Sequence, residues 1–306
     1  MNATLHRRHF AKVLAGALAG AASPSLHASA KPKLKIGYTC ITWGVFPRAP
    51  NANQGLEAAI KDIYQLGFWG FETFPENMEA LAAEGALKET LTQYQLPFKS
   101  GYCGTELTDT SKRKESVARV VASGKVIQKN GGTFAVLAPN GVKRDSYSFQ
   151  DHRSDIISGL NDHAMALADL GLMSGLHQHT GTCIETRDEV YAVMDSVNTK
   201  YLKFAPDVGQ LQKGGADAAK VVKDFLPLVR HMHLKDFSGG EFFGGYCPLG
   251  QGKVDLAGIL HMLEKAGNKL DVMVELDPSP NAPMTPLQTA QISKAFLEKL
   301  GYAFRT

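Results

Sequence analysis

Two histidine pairs with the same spacing, His177-Gln178-His179 and His231-Met232-His233, carry the chemistry that the 306-residue chain suggests first. Carboxylates accompany them at Glu72, Glu185, Asp207, Asp236, Glu275 and Asp277, and Lys235 follows the second pair. On a β-strand, residues i and i+2 point to the same face, so each pair can present two imidazoles in one direction. Imidazole nitrogens beside carboxylate oxygens make a mixed donor set for one divalent ion, suited to Mn²⁺, Co²⁺, Zn²⁺ or Mg²⁺. A lone strand-end histidine is more often a hydrogen-bonded structural residue, and a lone Asp or Glu caps a helix or pairs within a loop. Five or six such residues on consecutive strand ends point instead to a metal site. A carbonyl compound held on that ion beside a carboxylate or imidazole base can lose a proton next to its carbonyl, because the ion stabilises the negative charge that develops.

These groups must be positioned by an alternation of short β-rich runs and longer amphipathic stretches that begins at Leu34. Strands are predicted at 34–40, 69–74, 98–103, 133–138, 173–179, 202–207, 230–235 and 271–276. Helices are predicted at 54–66, 78–94, 111–129, 154–170, 187–197, 216–228, 256–266 and 287–300. Gly67 is a natural C-cap of the first helix, and Asp255 a good N-cap of the seventh. Eight strand–helix units at roughly 34-residue intervals suit a single-domain α/β fold, the (β/α)₈ TIM barrel of about 250 residues. A doubly wound sheet would carry G-x-G-x-x-G after its first strand, where this chain has Thr39-Cys40-Ile41-Thr42-Trp43-Gly44. In a barrel the active site gathers at the C-terminal strand ends, which is where Glu72, the two histidine pairs, Asp207, Lys235 and Glu275 fall.

The formal net charge of +3 has an address: residues 1–30 hold Arg7, Arg8 and Lys12 and no acidic residue, and the rest of the chain is balanced. That segment reads Arg7-Arg8-His9-Phe10-Ala11-Lys12, then a small apolar run over 13–22, then Ala28-Ser29-Ala30. A charged start, a short apolar middle and a small-residue cleavage pattern make a signal peptide, and the arginine pair resembles a twin-arginine export signal. The apolar run is too short to span a bilayer. Residues 1–30 are therefore expected to be the leader and 31–306 the barrel, with the twin-arginine machinery as a partner and the periplasm as destination. A neutral body excludes the basic footprint of a nucleic-acid binder. With 44% hydrophobic and 21% charged residues the chain is neither disordered nor a polytopic membrane protein, and no stable membrane insertion is expected. Cys40, Cys103, Cys183 and Cys247 form no C-x-x-C pair, which removes zinc-ribbon and thioredoxin-like readings.

Several stretches resemble the xylose-isomerase-like TIM barrels, the sugar phosphate isomerase/epimerase superfamily, and in particular its inosose-dehydratase-like members. The run from His177 to Thr186 is similar to their H-x-H-x-G-T-x-x-E-T stretch. Asp207-Val208-Gly209-Gln210 stands in the place of D-T-G-H, and His231 to Asp236 is close to H-x-H-x-K-D. Val274-Glu275-Leu276-Asp277 holds the strand-8 glutamate, and 248–255 resembles the L-G-x-G-x-x-D loop. The resemblance implies one divalent ion held from strands 5 to 8. Asp207, His233 and Glu275 match three of those ligands, and the first is either His177 or Glu185. Gln210 replaces a histidine that helps bind substrate in related epimerases.

The implied activity is a metal-dependent isomerase or epimerase acting on a sugar or keto-sugar by an enediolate route. The alternative is a dehydratase or lyase on a keto-inositol or 3-keto-glycoside. Glu275 would be ligand and base, and His177 or His179 the second acid/base. Lys235 would steady an oxyanion or form a salt bridge with Asp236. Glu72 would meet a sugar hydroxyl at the rim, and Trp43 and Phe74 would stack on a sugar face. A homodimer is compatible with this reading. Competing readings are an endonuclease-IV-like phosphodiesterase, a sugar-binding protein without catalysis, and a hydrolase that uses two bare carboxylates.

Overall fold

Apolar runs such as Phe134-Ala135-Val136-Leu137-Ala138 are buried on both faces, as parallel strands covered by helices must be. The computed structural model describes residues 34–267 and 269–306, so the export leader predicted at 1–30 lies outside the described residues. In chain order, β1 (Ile36–Thr39) leads through a 3₁₀ turn to α1 (Ala52–Gln65), and β2 (Phe71–Thr73) leads to α2 (Pro75–Ala83) and α3 (Leu87–Tyr94). Next come β3 (Phe98–Gly104), α4 (Arg113–Lys129), β4 (Phe134–Ala138), α5 (Phe149–Asp169), β5 (Met173–Leu176) and α6 (Arg187–Met194). β6 (Leu202–Phe204) is followed by α7 (Val208–Lys213) and α8 (Ala218–Asp224). β7 (His231–Leu234) precedes a small hairpin, β8 (Asp236–Phe237) with β9 (Tyr246–Cys247), and then α9 (Leu256–Ala266), β10 (Asp271–Val274) and α10 (Pro286–Lys299).

Eight parallel strands run in the order β6-β5-β4-β3-β2-β1-β10-β7 and form a nearly closed TIM barrel with helices between them. The remaining seam, between β6 and β7, is stitched by the isolated parallel bridges Phe204–Val229 and Asp207–His233. The second bridge joins two expected metal ligands, so barrel closure itself sets them side by side. Below them the interior is filled: Phe134 stacks under His231 at 5.0 Å, and a Cβ on Gly175 would come within 2.8 Å of the Phe134 ring. The strand needs glycine there because the floor of the barrel leaves no room for a side chain.

The predicted elements differ from the structure mainly at their ends. The helix predicted over 78–94 is two, α2 and α3, broken at Gly85, whose φ of +83° suits glycine. α5 starts earlier than predicted because the Ser148 hydroxyl accepts a hydrogen bond from the Asp151 amide as its N-cap. The strand predicted over 173–179 stops at Leu176, and the one over 202–207 stops at Phe204. Neither α7 nor the β8–β9 hairpin was predicted. The four cysteines are buried and free. Among the described residues no helix is long and apolar enough to cross a membrane.

Candidate metal centre

The centre starts with a carboxylate clamp. Glu72, on β2, faces both histidines of β7: His231 Nε2 is 2.9 Å from its Oε2 and His233 Nε2 is 2.7 Å from its Oε1. The Ser100 hydroxyl, from β3, donates to Glu72 Oε2 at 2.5 Å and lies 2.9 Å from His231 Nε2. Burial alone would push the Glu72 carboxyl up, but the imidazoles of His233 and His231 hold it well below the ordinary carboxylate range.

A second set lies on the other side of His233. Its Nδ1 is 3.0 Å from Glu275 Oε2. Lys235 Nζ donates to Glu275 Oε1 and Asp277 Oδ1, at 2.9 Å each, and lies 3.5 Å from Asp207 Oδ2. Asp207 is also the N-cap of α7: its Oδ1 accepts the Gln210 amide at 2.9 Å, which fixes the carboxylate. Burial would lower the Lys235 ammonium, yet Asp277, Glu275 and Asp207 raise it well above its ordinary value. Burial raises Asp207 despite Lys235, whereas His233 and Lys235 outweigh burial at Glu275 and keep it well below the usual range. The structure therefore places the Lys235 salt bridge on Glu275 and Asp277. Asp236 is engaged elsewhere, accepting the backbone amides of Phe237, Gly250, Gly252 and Val254 and so folding the 248–255 loop.

His177 completes this set. It is fully buried, and neither ring nitrogen has a hydrogen-bond partner. Burial and the neighbouring His233 push its imidazole well below the ordinary value, so it is neutral. Leaving such a group unsatisfied costs about 1–3 kcal/mol, a cost that a bound cation would remove. His177, Asp207 and His233 each offer one ligand atom, all within 4.8 Å of one another. Two imidazoles and a carboxylate, with Glu275 at hand, fit a divalent ion of the nitrogen- and oxygen-binding kind. Glu72, His231 and His233 form a second such group. There, however, Glu72 is already met by two imidazoles and a hydroxyl.

The other sequence-derived candidates are dispersed. Glu185 accepts the Gly181 amide at 2.6 Å and lies 3.5 Å from Arg144 Nε, so the structure brings His177 and not Glu185 to Asp207 and His233. His179 sits half-buried at the mouth: its Nδ1 is 2.7 Å from the Thr180 carbonyl and its Nε2 2.7 Å from Gln210 Nε2. Gln210 also accepts from the Thr180 hydroxyl at 2.7 Å. Glu72 is 2% exposed, in the barrel rather than on its rim. Trp43 turns toward the helical layer, where its indole donates to Asp62 at 2.9 Å and packs edge-on against Tyr38. Phe74 packs against Phe46 and Tyr102. The sequence reading missed Ser100 and Tyr246, whose ring lies 4.3 Å from Lys235 Nζ. Ser100 had one faint signal, a hydroxyl in an otherwise unremarkable strand run; Tyr246 had none.

Comparison with known proteins gives the family and agrees with the fold. The family described as xylose isomerase-like TIM barrel matches residues 60–300. An inosose dehydratase of Clostridium botulinum (strain Alaska E43 / Type E3) is 23% identical over 298 residues, covering 87% of this chain and 97% of that protein. Among solved structures, the apo 3-keto-D-glucoside 4-epimerase of E. coli superposes with a TM-score of 0.65 at 16% identity, over 88% of this chain and 99% of that one. The IOLI protein with a bound zinc atom gives 0.69 at 15% identity, over 87% and 98%. The chain belongs to the xylose isomerase-like TIM barrel family.

Proposed function

We propose that the protein is a divalent-metal-dependent sugar isomerase or epimerase that removes a proton next to a carbonyl and returns it to another position or face. The observation that carries this is His177, fully buried with both ring nitrogens unpartnered, in one group with Asp207 and His233. His177, Asp207, His233 and Glu275 would hold the ion. When bound, such an ion polarises the carbonyl or an adjacent hydroxyl of the sugar.

The chain's own residues supply the rest. Glu72 accepts from His233 Nε2, which leaves Nδ1 as the ligand nitrogen, the usual carboxylate–histidine arrangement around a metal. Glu275, kept ionised, is ligand and candidate base. Lys235, kept charged among its carboxylates, offsets negative charge that develops on the substrate oxygen. His179, with Nδ1 2.7 Å from the Thr180 carbonyl and Nε2 2.7 Å from Gln210 Nε2, stands at the mouth as the candidate second acid/base. The inosose dehydratase relative, spanning nearly its full length, and Gln210 held against His179 support a second reading: the same carbanion expels a β-hydroxyl, giving a carbon–oxygen lyase on a keto-inositol or 3-keto-glycoside. The leader at residues 1–30 suggests that the reaction runs in the periplasm, and a mature N-terminus near residue 31 in exported protein would support that.

The test has two arms. Elemental analysis of the purified protein should find about one ion of Mn²⁺, Co²⁺, Zn²⁺ or Mg²⁺ per chain; Asp207→Ala and His233→Ala should lose it, and retention in both would overturn the site. In D₂O, a panel of keto-sugars followed by NMR should show deuterium entering next to the carbonyl. Accumulation of an unsaturated product would select the lyase.

A further inference from the structure

A line of aromatic rings runs from the barrel rim to the proposed metal centre. Phe46, 36% exposed, packs 6.0 Å from Phe74, Phe74 is 5.0 Å from Tyr102, and Tyr102 is 5.3 Å from His177, centroid to centroid. Phe74 and Tyr102 also wall a cavity of about 340 Å³ above the ends of β2, β3 and β4. The same two rings border the narrow gap that reaches Glu72 and Glu275. The cavity lies in the range of about 300–1,000 Å³ typical of small-molecule sites. It therefore shares a wall with the reaction centre without containing any of the proposed ligands.

The polar groups of this cavity indicate its occupant. Glu76, Glu106 and Arg119 line it together with the rings. Glu106 uses Oε1 to accept from the Thr108 amide and hydroxyl and the Asp109 amide, and Oε2 takes none of these bonds. Arg119 Nη1 lies 3.9 Å from Glu115, too long for a hydrogen bond, and its side chain is 48% exposed. Ring faces beside carboxylates and a guanidinium suit a body with apolar C–H faces and an edge of neutral hydroxyls, which describes a pyranose. Two carboxylates against one guanidinium repel an anionic group such as a phosphate. A wholly apolar aglycone would strip these charges of water and give nothing back.

We propose that this cavity is a second sugar subsite, holding the ring next to the one that reacts, so that the substrate is a disaccharide or larger glycoside. The proposal rests on the metal-centre reading for the position of the reacting ring. Isothermal titration of the purified metal-loaded protein with glucose, cellobiose, maltose and trehalose reads it directly, without turnover. At least one disaccharide should bind about tenfold more tightly than glucose, from hydrogen bonds to charged groups and ring contact. Arg119→Ala, on an exposed surface, and Phe74→Leu, which keeps an apolar side chain, should each cut that preference about fivefold.

Three results would overturn the subsite: disaccharides no tighter than glucose, a preference that survives both substitutions, or phenyl glucoside binding more tightly than every disaccharide. Metal content measured on the same samples separates the two readings. A metal-replete protein without disaccharide preference defeats the subsite alone; disaccharide preference in a protein that takes up no metal defeats the metal centre alone.

Discussion

His231 and His233 lie within β7, and both turn Nε2 toward Glu72, at 2.9 and 2.7 Å; His177 and His179 lie beyond the last residue of β5 and diverge. The first pair is clamped by a carboxylate from another strand. In the second, one imidazole is buried without a partner and the other is half-buried against Gln210. Spacing is identical, so the difference comes from the ladder. Alternation of faces holds only while strand pairing continues. Beyond His177, whose amide still donates to the Leu137 carbonyl of β4 at 2.9 Å, the chain leaves the ladder and His179 turns to the mouth. In the proposed site the clamp would fix His233 as an oriented ligand, while the unclamped pair leaves His177 without a partner in the interior and His179 at the mouth.

Four experiments break or sharpen that contrast. The largest effect is expected at His177: replacement by Ala should leave less than about a tenth of the bound metal and lower turnover by about 10³-fold, the scale of several kcal/mol of transition-state stabilisation. Metal content and rate close to wild type would return His177 to an ordinary core histidine. Next, Glu72→Gln should weaken metal binding about 10–100-fold through misorientation of His233, and should cost about 3 kcal/mol in urea unfolding because a buried charge pair is broken. A cost under about 1 kcal/mol with unchanged metal affinity would mean that the clamp orients nothing. Third, Gln210→Ala should raise KM about fivefold, the worth of one lost hydrogen bond at His179, while metal content stays at the wild-type level. Loss of metal there would tie His179 to the ligand set.

The smallest effect concerns His163, a buried histidine of α5 remote from both pairs. Its Nε2 lies 2.8 Å from the Ser116 hydroxyl and its Nδ1 2.6 Å from the Gly159 carbonyl. Burial lowers its pKa below the ordinary 6.5 despite the Gly159 hydrogen bond. The unfolded chain then binds the proton first, so the contribution is fully present above pH 6.5 and is lost as pH falls below it. Denaturant titrations from pH 7 to 5.5 should show a loss of less than about 1 kcal/mol that His163→Gln abolishes. A persistent slope in the variant would assign it to other groups.

The barrel was largely legible in the sequence because its signal is local. Eight β-rich runs alternate with amphipathic stretches, and the strand run 98–103 and helix 256–266 fall almost where predicted. Asp207, His233 and Glu275 could be placed at strand ends from order alone. What local pattern could not show was partnership. Glu72 meets His233 across 161 residues of chain, and its approach depends on β2 and β7 facing each other through the barrel. Glu185 has the residue type of a ligand and lies in the expected loop, yet it folds back onto Gly181 and Arg144. Trp43 stands at the end of β1 as a rim aromatic would, but Asp62 on α1 draws its indole outward.

By itself, then, the sequence determined the alternation of elements, their number, and the set of ionisable residues at one end of the strands. Those follow from side-chain periodicity, propensity and capping, which act over a few residues. The tertiary structure decided which of those residues share a partner, which carboxylate stays charged in the interior, and which imidazole is left unsatisfied. Those depend on where strand pairing stops and on what the facing strand presents. In this barrel the decisive contacts, Asp207 beside His233 at the closing seam and His177 beside both, exist only once β5, β6 and β7 are set side by side across that seam.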